Sequence, residues 1–580
     1  MRTELLLEHF ALLRTPQDVA QLEAAILDLA VRGELVPQDP DDEPASVLLE
    51  RIKAEKTRLV NAGKVRKRKA LPCLEAGQVP YRLPENWSWI KLDEIAEIAS
   101  GVTKGRDLSK NKTVTLPYLR VANVQRGYLD LSKIKEIEIK EAEQDKYLLR
   151  NGDLLLTEGG DADKLGRSAI WENQIPNCIH QNHIFRARMY LESSAEWIML
   201  CTNSQYGRRY FLGSAKQTTN LASINMTQLR NFPVPFPPFP EQKCIIAKVN
   251  ELLAQTRALA AQLQAADDAL LPTAQTAFQA LVGAPPPPPR RAGEQLVPRK
   301  TGASAQRRAW ERVASAFDAL TADPRTIEAL KQTLLGLAVQ GKLVPQDPDD
   351  EPASVLLERV REGKARLVRE KKIKKVKRLP PIEAEEVPYR SPQGWEWVRF
   401  GTIANIATNL TDPSLFPSLP HIAPNNIEKY TGKLLKYNTV QEDGIRSSNH
   451  HFFPGQLLYS KIRPNLSKAV VIDFEGLCSA DMYPIDSFIE RRYLLVYILS
   501  NTFLNMAVGE DTRVAMPKIN QAALNNILVA VPPLPEQRRI VAKVEALLGL
   551  CDALAAQVVA AEEVRAQLLQ AILNGGETTT

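Results

Sequence analysis

A chain of 580 residues is too long for one compact core, and about 150 residues per domain divides it into roughly four units. Hydrophobic residues at 44% and charged residues at 24% exclude wholesale disorder and collagen-like structure. A net charge of +6 permits a polyanionic partner without demanding one.

In chain order the first feature is a helical hairpin over Val19 to Val60, with a turn at Pro37 to Pro44. Asp41-Asp42-Glu43 and Ser46 suit the start of its second helix. A basic tract follows, Lys64, Arg66, Lys67, Arg68 and Lys69. The hairpin returns over Ile327 to Val368: Leu343 to Arg359 repeats Leu35 to Arg51, LVPQDPDDEPASVLLER, without a change. Its basic tract also returns, from Arg369 and Lys371 to Lys377 and Arg378. Both tracts stand just ahead of a Pro-x-x-Trp-x-Trp segment, which favours phosphate contact over a merely solvated run.

Those segments open two modules of about 150 residues whose sequences hardly resemble each other. The first reads as a short helix at Leu92 to Ile98, strands at Thr113 to Val121, Lys133 to Ile139 and Asp153 to Leu156, and an apolar helix at Trp197 to Cys201. The second gives a short helix at Phe400 to Ile406, a strand at Gln456 to Tyr459 and a helix at Arg492 to Leu499. Each closes alike, on Pro238-Phe239-Pro240-Glu241-Gln242 and on Pro533-Leu534-Pro535-Glu536-Gln537. Frames that stay alike meet the same partner or each other; inserts that diverge contact different things. The chain is therefore a duplicated domain pair with an internal pseudo-two-fold repeat.

After each closure the apolar positions step 4, 3, 4, 3, as in a coiled-coil seam. The seam is expected to run through Val249, Leu252, Leu259 and Leu263, and through Val544, Leu547, Leu554 and Val558. Neither helix buries such a seam alone, so antiparallel pairing of the two is expected, with helix-on-insert packing as the lesser alternative. Pro272 lies inside the first helix, which ends near Val282-Gly283, and the prolines 285–289 begin a semi-rigid linker rather than an SH3-type ligand. The fold class is α+β: two α/β modules separated by long antiparallel coiled-coil helices. The expected domains are 1–78 helical, 79–239 first module, 240–283 first long helix and 284–305 linker. They continue as 306–386 central helical region, 387–534 second module, 535–575 second long helix and 576–580 disordered tail.

Side chains that match base edges and phosphates gather in the module loops. The first offers Lys104, Arg106, Arg120, Asn123, Gln125, Arg126, Lys164, Arg167, Gln181, Asn182, Lys216, Gln217, Thr218, Thr219 and Asn220. The second offers Asn425, Asn426, His450, Lys461, Arg463, Arg513 and Lys518. Tyr81 to Pro240 carries 21 basic and 18 acidic residues, and Ser391 to Pro535 carries 12 of each. Any nucleic-acid contact must therefore come from local patches.

Catalytic signatures are sparse. No GxxxxGK[ST] loop occurs. Asp130 with Glu138-Ile139-Lys140 only loosely echoes a metal-dependent nuclease, and Cys178, His180 and His183 lack a fourth metal ligand. Six cysteines, Cys73, Cys178, Cys201, Cys244, Cys478 and Cys551, lack CxxC spacing and fit a reducing cytoplasm. Glu4, Glu8 and Asp18 among the early leucines argue against a secretory signal, and no stretch is expected to span a membrane.

Two variable modules alternating with two near-identical helical regions resemble the specificity (S) subunit of type I restriction-modification enzymes, over essentially the whole chain. The resemblance is carried by the Ile-Asn…Pro-Glu-Gln closures, Gly152-Asp153-Leu154-Leu155-Leu156 and Tyr118-Leu119-Arg120-Val121-Ala122-Asn123-Val124. In the first module it extends to Gly159-Gly160-Asp161 to Arg167, His180 to Arg186 and Lys216 to Ile224. The second departs, with Gly455-Gln456-Leu457 and with Pro424 interrupting the Ala122-Asn123 equivalent. The resemblance implies that each module is a target recognition domain reading one half of an asymmetric bipartite site on double-stranded DNA, and that the helices set the spacing. It implies docking of two modification subunits that carry S-adenosylmethionine and methylate adenine. Restriction subunits would bring ATP and Mg2+ for translocation and cleavage, leaving no cofactor and no catalytic residue in this chain. The competing readings are a self-contained nuclease and a protein-binding scaffold.

Overall fold

The computed structural model describes residues 10–69, 71–72, 74–75, 77, 79–160, 164–191, 195–217, 222–282, 308, 311–374, 378–508 and 517–573. It divides into two units: Met1–Asp267 with Val564–Thr580, and Asp268–Glu563. The proline-rich linker and the tail lie outside the described residues.

In the first unit the hairpin is α1 (Pro16–Arg32) and α2 (Ala45–Asn61). Thr15 accepts from the Asp18 amide, the Asp18 carboxylate reaches back, and Pro16 sits at the first helical position, which together fix the start of α1. Gly33 ends it in the left-handed region at φ 74°, and a Cβ there would stand 3.0 Å from Cζ2 of Trp87. Leu22, Ile26 and Leu29 make the buried stripe. The first long helix, α3, runs Phe239–Val282. In the second unit α4 (Pro324–Val339) and α5 (Ala353–Arg369) repeat the hairpin. Asp323 caps α4, and Gly341 (φ 69°) ends it with Trp395 Cζ2 again 3.0 Å from a would-be Cβ. The second long helix, α6, runs Leu534–Leu573.

The first module has β1 (Ser88–Lys91) antiparallel to β12 (Pro233–Phe236), which closes its entry and exit. Its main sheet has the order β2-β9-β5-β7, from Ala96–Ser100, Ile184–Met189, Asp153–Thr157 and Ser168–Trp171. A second sheet, β4-β3-β8, joins Lys135–Lys140, Thr113–Leu119 and Ile179–His180, with β3 and β8 parallel. A small third sheet, β10-β11-β6, joins Lys216–Gln217, Ala222–Ser223 and Gly159–Gly160.

The second module repeats this plan. β13 (Glu396–Arg399) pairs β23 (Leu528–Val531). Its main sheet β14-β22-β19-β20 comprises Ala404–Ile406, Met482–Ser487, Leu457–Ser460 and Ala469–Val471. β15-β18-β21-β16-β17 comprises Leu410–Thr411, Asn449–Phe452, Gly476–Cys478, Pro420–Ile422 and Asn438–Thr439, with β16 and β21 parallel.

Two expectations are corrected and one is extended. The short helices stop at Ile95 and Ile403, because the next residues enter ladders: Ala96 pairs Met189, and Ala404 pairs Ser487. The seams meet the other long helix, as expected, and share their cover with the hairpins, which was not expected. Ile245, Val249 and Leu252 join the core of α1, where Thr256 Oγ1 donates to Glu23 at 2.8 Å; Leu259 packs at its edge, and Leu263 is half-buried. In the second unit Val544 is buried beside α4 and α5. Leu547, Leu554 and Val558 pack around Cys551, α4 and the last turns of α3 (Ala274, Phe278, Leu281). Each unit also contains an end of the other's long helix, Leu569 in the first and Phe278 in the second. Finally, α6 is long and apolar enough by composition to cross a bilayer. Its apolar content is alanine-rich and leaves Leu550, Val559, Val564 and Leu568 exposed, while Ile540, Val544 and Leu569 sit in protein cores.

Candidate nucleic-acid interface

Each unit holds its module against the helical frame by the same buried carboxylate. Trp87 Nε1 and Gln38 Nε2 donate to Glu241 at 2.8 and 3.0 Å; Trp395 and Gln346 donate to Glu536 at 2.9 and 3.1 Å. Burial raises both carboxyls above the usual range, against the lowering effect of those donors. Tyr81 and Tyr389 add hydroxyl donations to the carbonyls of Val31 and Val339. The modules are thus seated identically, and what they present differs.

In the first module the connection from β5 to β7 gathers four of the predicted clusters. β6 places Gly159-Gly160 beside Ala222–Ser223, and through β11 beside Lys216-Gln217. The Glu158 amide donates to the His183 carbonyl, and the Glu158 carboxylate meets His183 Nδ1 at 2.7 Å. That draws in the Gln181–Asn182 turn, whose amides donate to the carbonyls of Leu119 and Val102. Arg167 Nη1 donates to Gln125 Oε1 at 2.8 Å, and the Gly127 amide donates to the Ser168 carbonyl, bringing the Arg126 turn alongside. Lys104 and Lys216 are exposed beside this group, and Lys164 flanks Gly160. Thr218, Thr219 and Asn220 lie outside the described residues.

Other candidates have structural duties. Asn123 is 3% exposed, accepts from the Arg120 amide and donates to the carbonyls of Asp130 and Lys133. Asn426 does the same, accepting from Ala423 and donating to Lys436, while Asn425 stays exposed. Both asparagines close a loop and are withdrawn as base readers. Arg106 is paired with Glu143 at 2.8 Å, and Arg120 is half-buried with Nη2 on the Lys133 carbonyl. His450, 4% exposed in β18, is also withdrawn: burial, with Lys461 nearby, lowers its pKa and keeps it neutral. His180 is pushed down to about 4 by burial and the adjacent Arg186, and its Nδ1 lies 3.0 Å from the Ile184 carbonyl. Among the described residues no three His, Cys, Asp or Glu side chains gather as metal ligands. Asp130 is held by Ser132 and Glu138 by Thr113, so the nuclease echo forms no shared site.

The second module uses the same connection, from β19 to β20. Ile462 bridges Lys518, and the Ile519 amide donates to the Lys461 carbonyl, which matches the β6–β11 contact of the first module. Lys461 and Lys518 both face Asp481, at 3.7 and 3.5 Å. Arg463 is exposed at the tip. Arg513 lies outside the described residues. Sequence reasoning missed Asn465 of this loop, although Arg-Pro-Asn after an apolar strand is a turn signal, and missed Tyr128, 62% exposed beside Arg126.

Comparison with known proteins agrees with this layout. Residues 84–266 and 392–560 match the family model for the type I restriction modification DNA specificity domain. The type I restriction enzyme EcoAI specificity subunit of Escherichia coli is 30% identical over 96% of this chain and 93% of its own length. The EcoEI specificity subunit of Escherichia coli is 31% identical over the same shares, 96% and 93%. A crystal structure of the HsdS subunit from Thermoanaerobacter tengcongensis covers 86% of this chain and 98% of its own at 18% identity, with a TM-score of 0.41. Two copies of the family domain and a full-length match at this identity place the chain among the non-catalytic DNA specificity subunits of type I restriction-modification enzymes.

Proposed function

We propose that each module reads its own half of a split, asymmetric duplex target, and that the helical frames carry the docking sites for two modification subunits. The observation that carries this reading is the pairing of identical seats with unlike loops. Glu241 and Glu536 anchor their modules through the same partners, while the β5–β7 and β19–β20 connections present different side chains. Unlike readers on like mounts give unlike half-sites, hence a non-palindromic target. Lys104, Lys164, Arg167, Gln181, Asn182, Lys216 and their neighbours serve the first half-site; Asn425, Lys461, Arg463 and Lys518 serve the second. The exposed apolar residues of α6, Leu550 at 67% and Val564 at 64%, favour a protein partner on that helix. S-adenosylmethionine would be held by the modification subunits, and ATP and Mg2+ by the restriction subunits. A role on chromosomal DNA would put the chain in the cytoplasm. Methylome sequencing of a host expressing this chain with the modification subunit of its source cell tests the reading. It should show one split adenine-methylated motif with two different halves; a palindromic motif, or none, overturns it.

A further inference from the structure

The turn between β19 and β20, Arg463 to Ser467, is held in an unusual backbone. Arg463 has φ 47° and ψ 58°, and Ser467 has φ 41° and ψ 49°; both are left-handed positions that side chains other than glycine seldom adopt. The surroundings fix this conformation at every point. The Arg463 amide donates to the Pro517 carbonyl, Leu466 to Arg463 and Ser467 to Pro464. Tyr430, itself at φ 64°, donates its hydroxyl to the Asn465 carbonyl at 2.9 Å, and Lys468 Nζ donates to the Pro424 carbonyl at 2.6 Å. Pro464 is buried, and its ring locks its own φ.

On this rigid loop only two polar side chains point outward, and both are exposed: Arg463 and Asn465. Neither finds a hydrogen-bond or ion-pair partner among the described residues, whereas Lys461, Lys518 and Lys468 on the same face are each engaged. An unpaired guanidinium fork and an unpaired carboxamide, two residues apart, are the groups that bind guanine O6/N7 and adenine N6/N7 bidentately in a major groove. A fixed backbone spares them the ordering cost of a flexible loop.

We propose that Arg463 and Asn465 are base-reading residues of the second recognition module, Arg463 on a guanine and Asn465 on an adenine of the same half-site. This rests on the recognition function argued above. The first module offers a different tip at the same connection, Gly160 at φ 145° with Lys164 against it, so the change of side chain is a change of text and not of mount.

The full chain is co-expressed with the modification subunit of its source cell, carrying Arg463→Ala, Arg463→Lys or Asn465→Ala, and the methylated motif is read genome-wide. Each alanine variant should lose preference at one base of one half-site by roughly 10- to 100-fold, leaving the other half-site and the spacer unchanged. Arg463→Lys should relax the same base as Arg463→Ala, since lysine keeps the charge and loses the fork. Uniformly weaker methylation with an unchanged motif would make Arg463 a phosphate contact and overturn the proposal, as would no effect. If the unmodified chain gives no split motif, the recognition function itself fails, which separates the two. Thermal unfolding of each variant should match the unmodified chain, because both side chains are exposed; a variant that unfolds early is replaced by Asn465→Ser, with the same motif readout deciding.

Discussion

Removing the Glu536 carboxylate should loosen the seat of the second module. In Glu536→Ala the indole N–H of Trp395 loses its acceptor and the Gln346 amide loses one of two, keeping the Gly341 carbonyl, in a site where Glu536 is 1% and Trp395 5% exposed. Hydrogen bonds to a charged acceptor contribute about 1.5–3 kcal/mol each, so two give roughly 3–6 kcal/mol. Deleting the buried charge recovers part of this, about 1–2 kcal/mol, leaving a net loss of about 2–4 kcal/mol. At roughly 2–4 °C per kcal/mol for a body of this size, the unfolding transition of the second unit should fall by about 4–16 °C. Glu536→Gln keeps one acceptor and should lose about half as much. The pH dependence has a definite sign. The native carboxyl titrates above its unfolded value, so stability is greater in acid and falls as pH rises through the raised native pKa. Glu536→Gln should flatten that slope. Differential scanning calorimetry across pH, with Glu241→Ala as the internal replicate, measures both effects. An alanine variant within 1 °C of the parent, or an unchanged pH slope in Glu536→Gln, would refute the account of the seat.

Four further outcomes are expected. Lys364 Nζ donates to the carbonyls of Gly401 and Ala404, and burial pulls its pKa from 10.5 to about 8. The second unit should therefore gain stability between pH 8 and about 10, up to about 2 kcal/mol after screening, and Lys364→Met should abolish the gain in urea titrations. Asn123→Ala should destabilise the first module by about 2 kcal/mol in urea and leave the methylated motif unchanged, because its amide serves the loop and not a base. Gly341→Ala forces a left-handed alanine against Pro392 and Trp395 and should cost roughly 2–4 kcal/mol, read as an earlier thermal transition. Val564→Glu on the exposed face of α6 should weaken co-purification of the modification subunit at least tenfold without changing the melting temperature.

Much of this was legible in the chain because the information was local or repeated. Identical hairpin sequences fold identically, and the closures Pro-Glu-Gln start long helices at Phe239 and Leu534 as the proline stop and acidic first turn require. Strands with clear boundaries, such as Asp153–Thr157, fell where the turn residues put them. The 3,4 seam identified which face of each long helix is covered but not by what. Its period is satisfied equally by a second long helix or by the hairpin beside it, and both are used: Glu23 meets Thr256, and Phe278 packs with Leu547 and Leu554. Composition marked polar loops, yet Asn123, Asn426 and His450 are consumed by the fold, since burial and partner are properties of neighbours distant in sequence. The sequence alone determined the duplication, the element order and the two unlike inserts, because repeats and periodicity are written along the chain. Only the tertiary structure decided which side chains remain unpaired at the domain tips, because a hydrogen bond is satisfied in space and not in order.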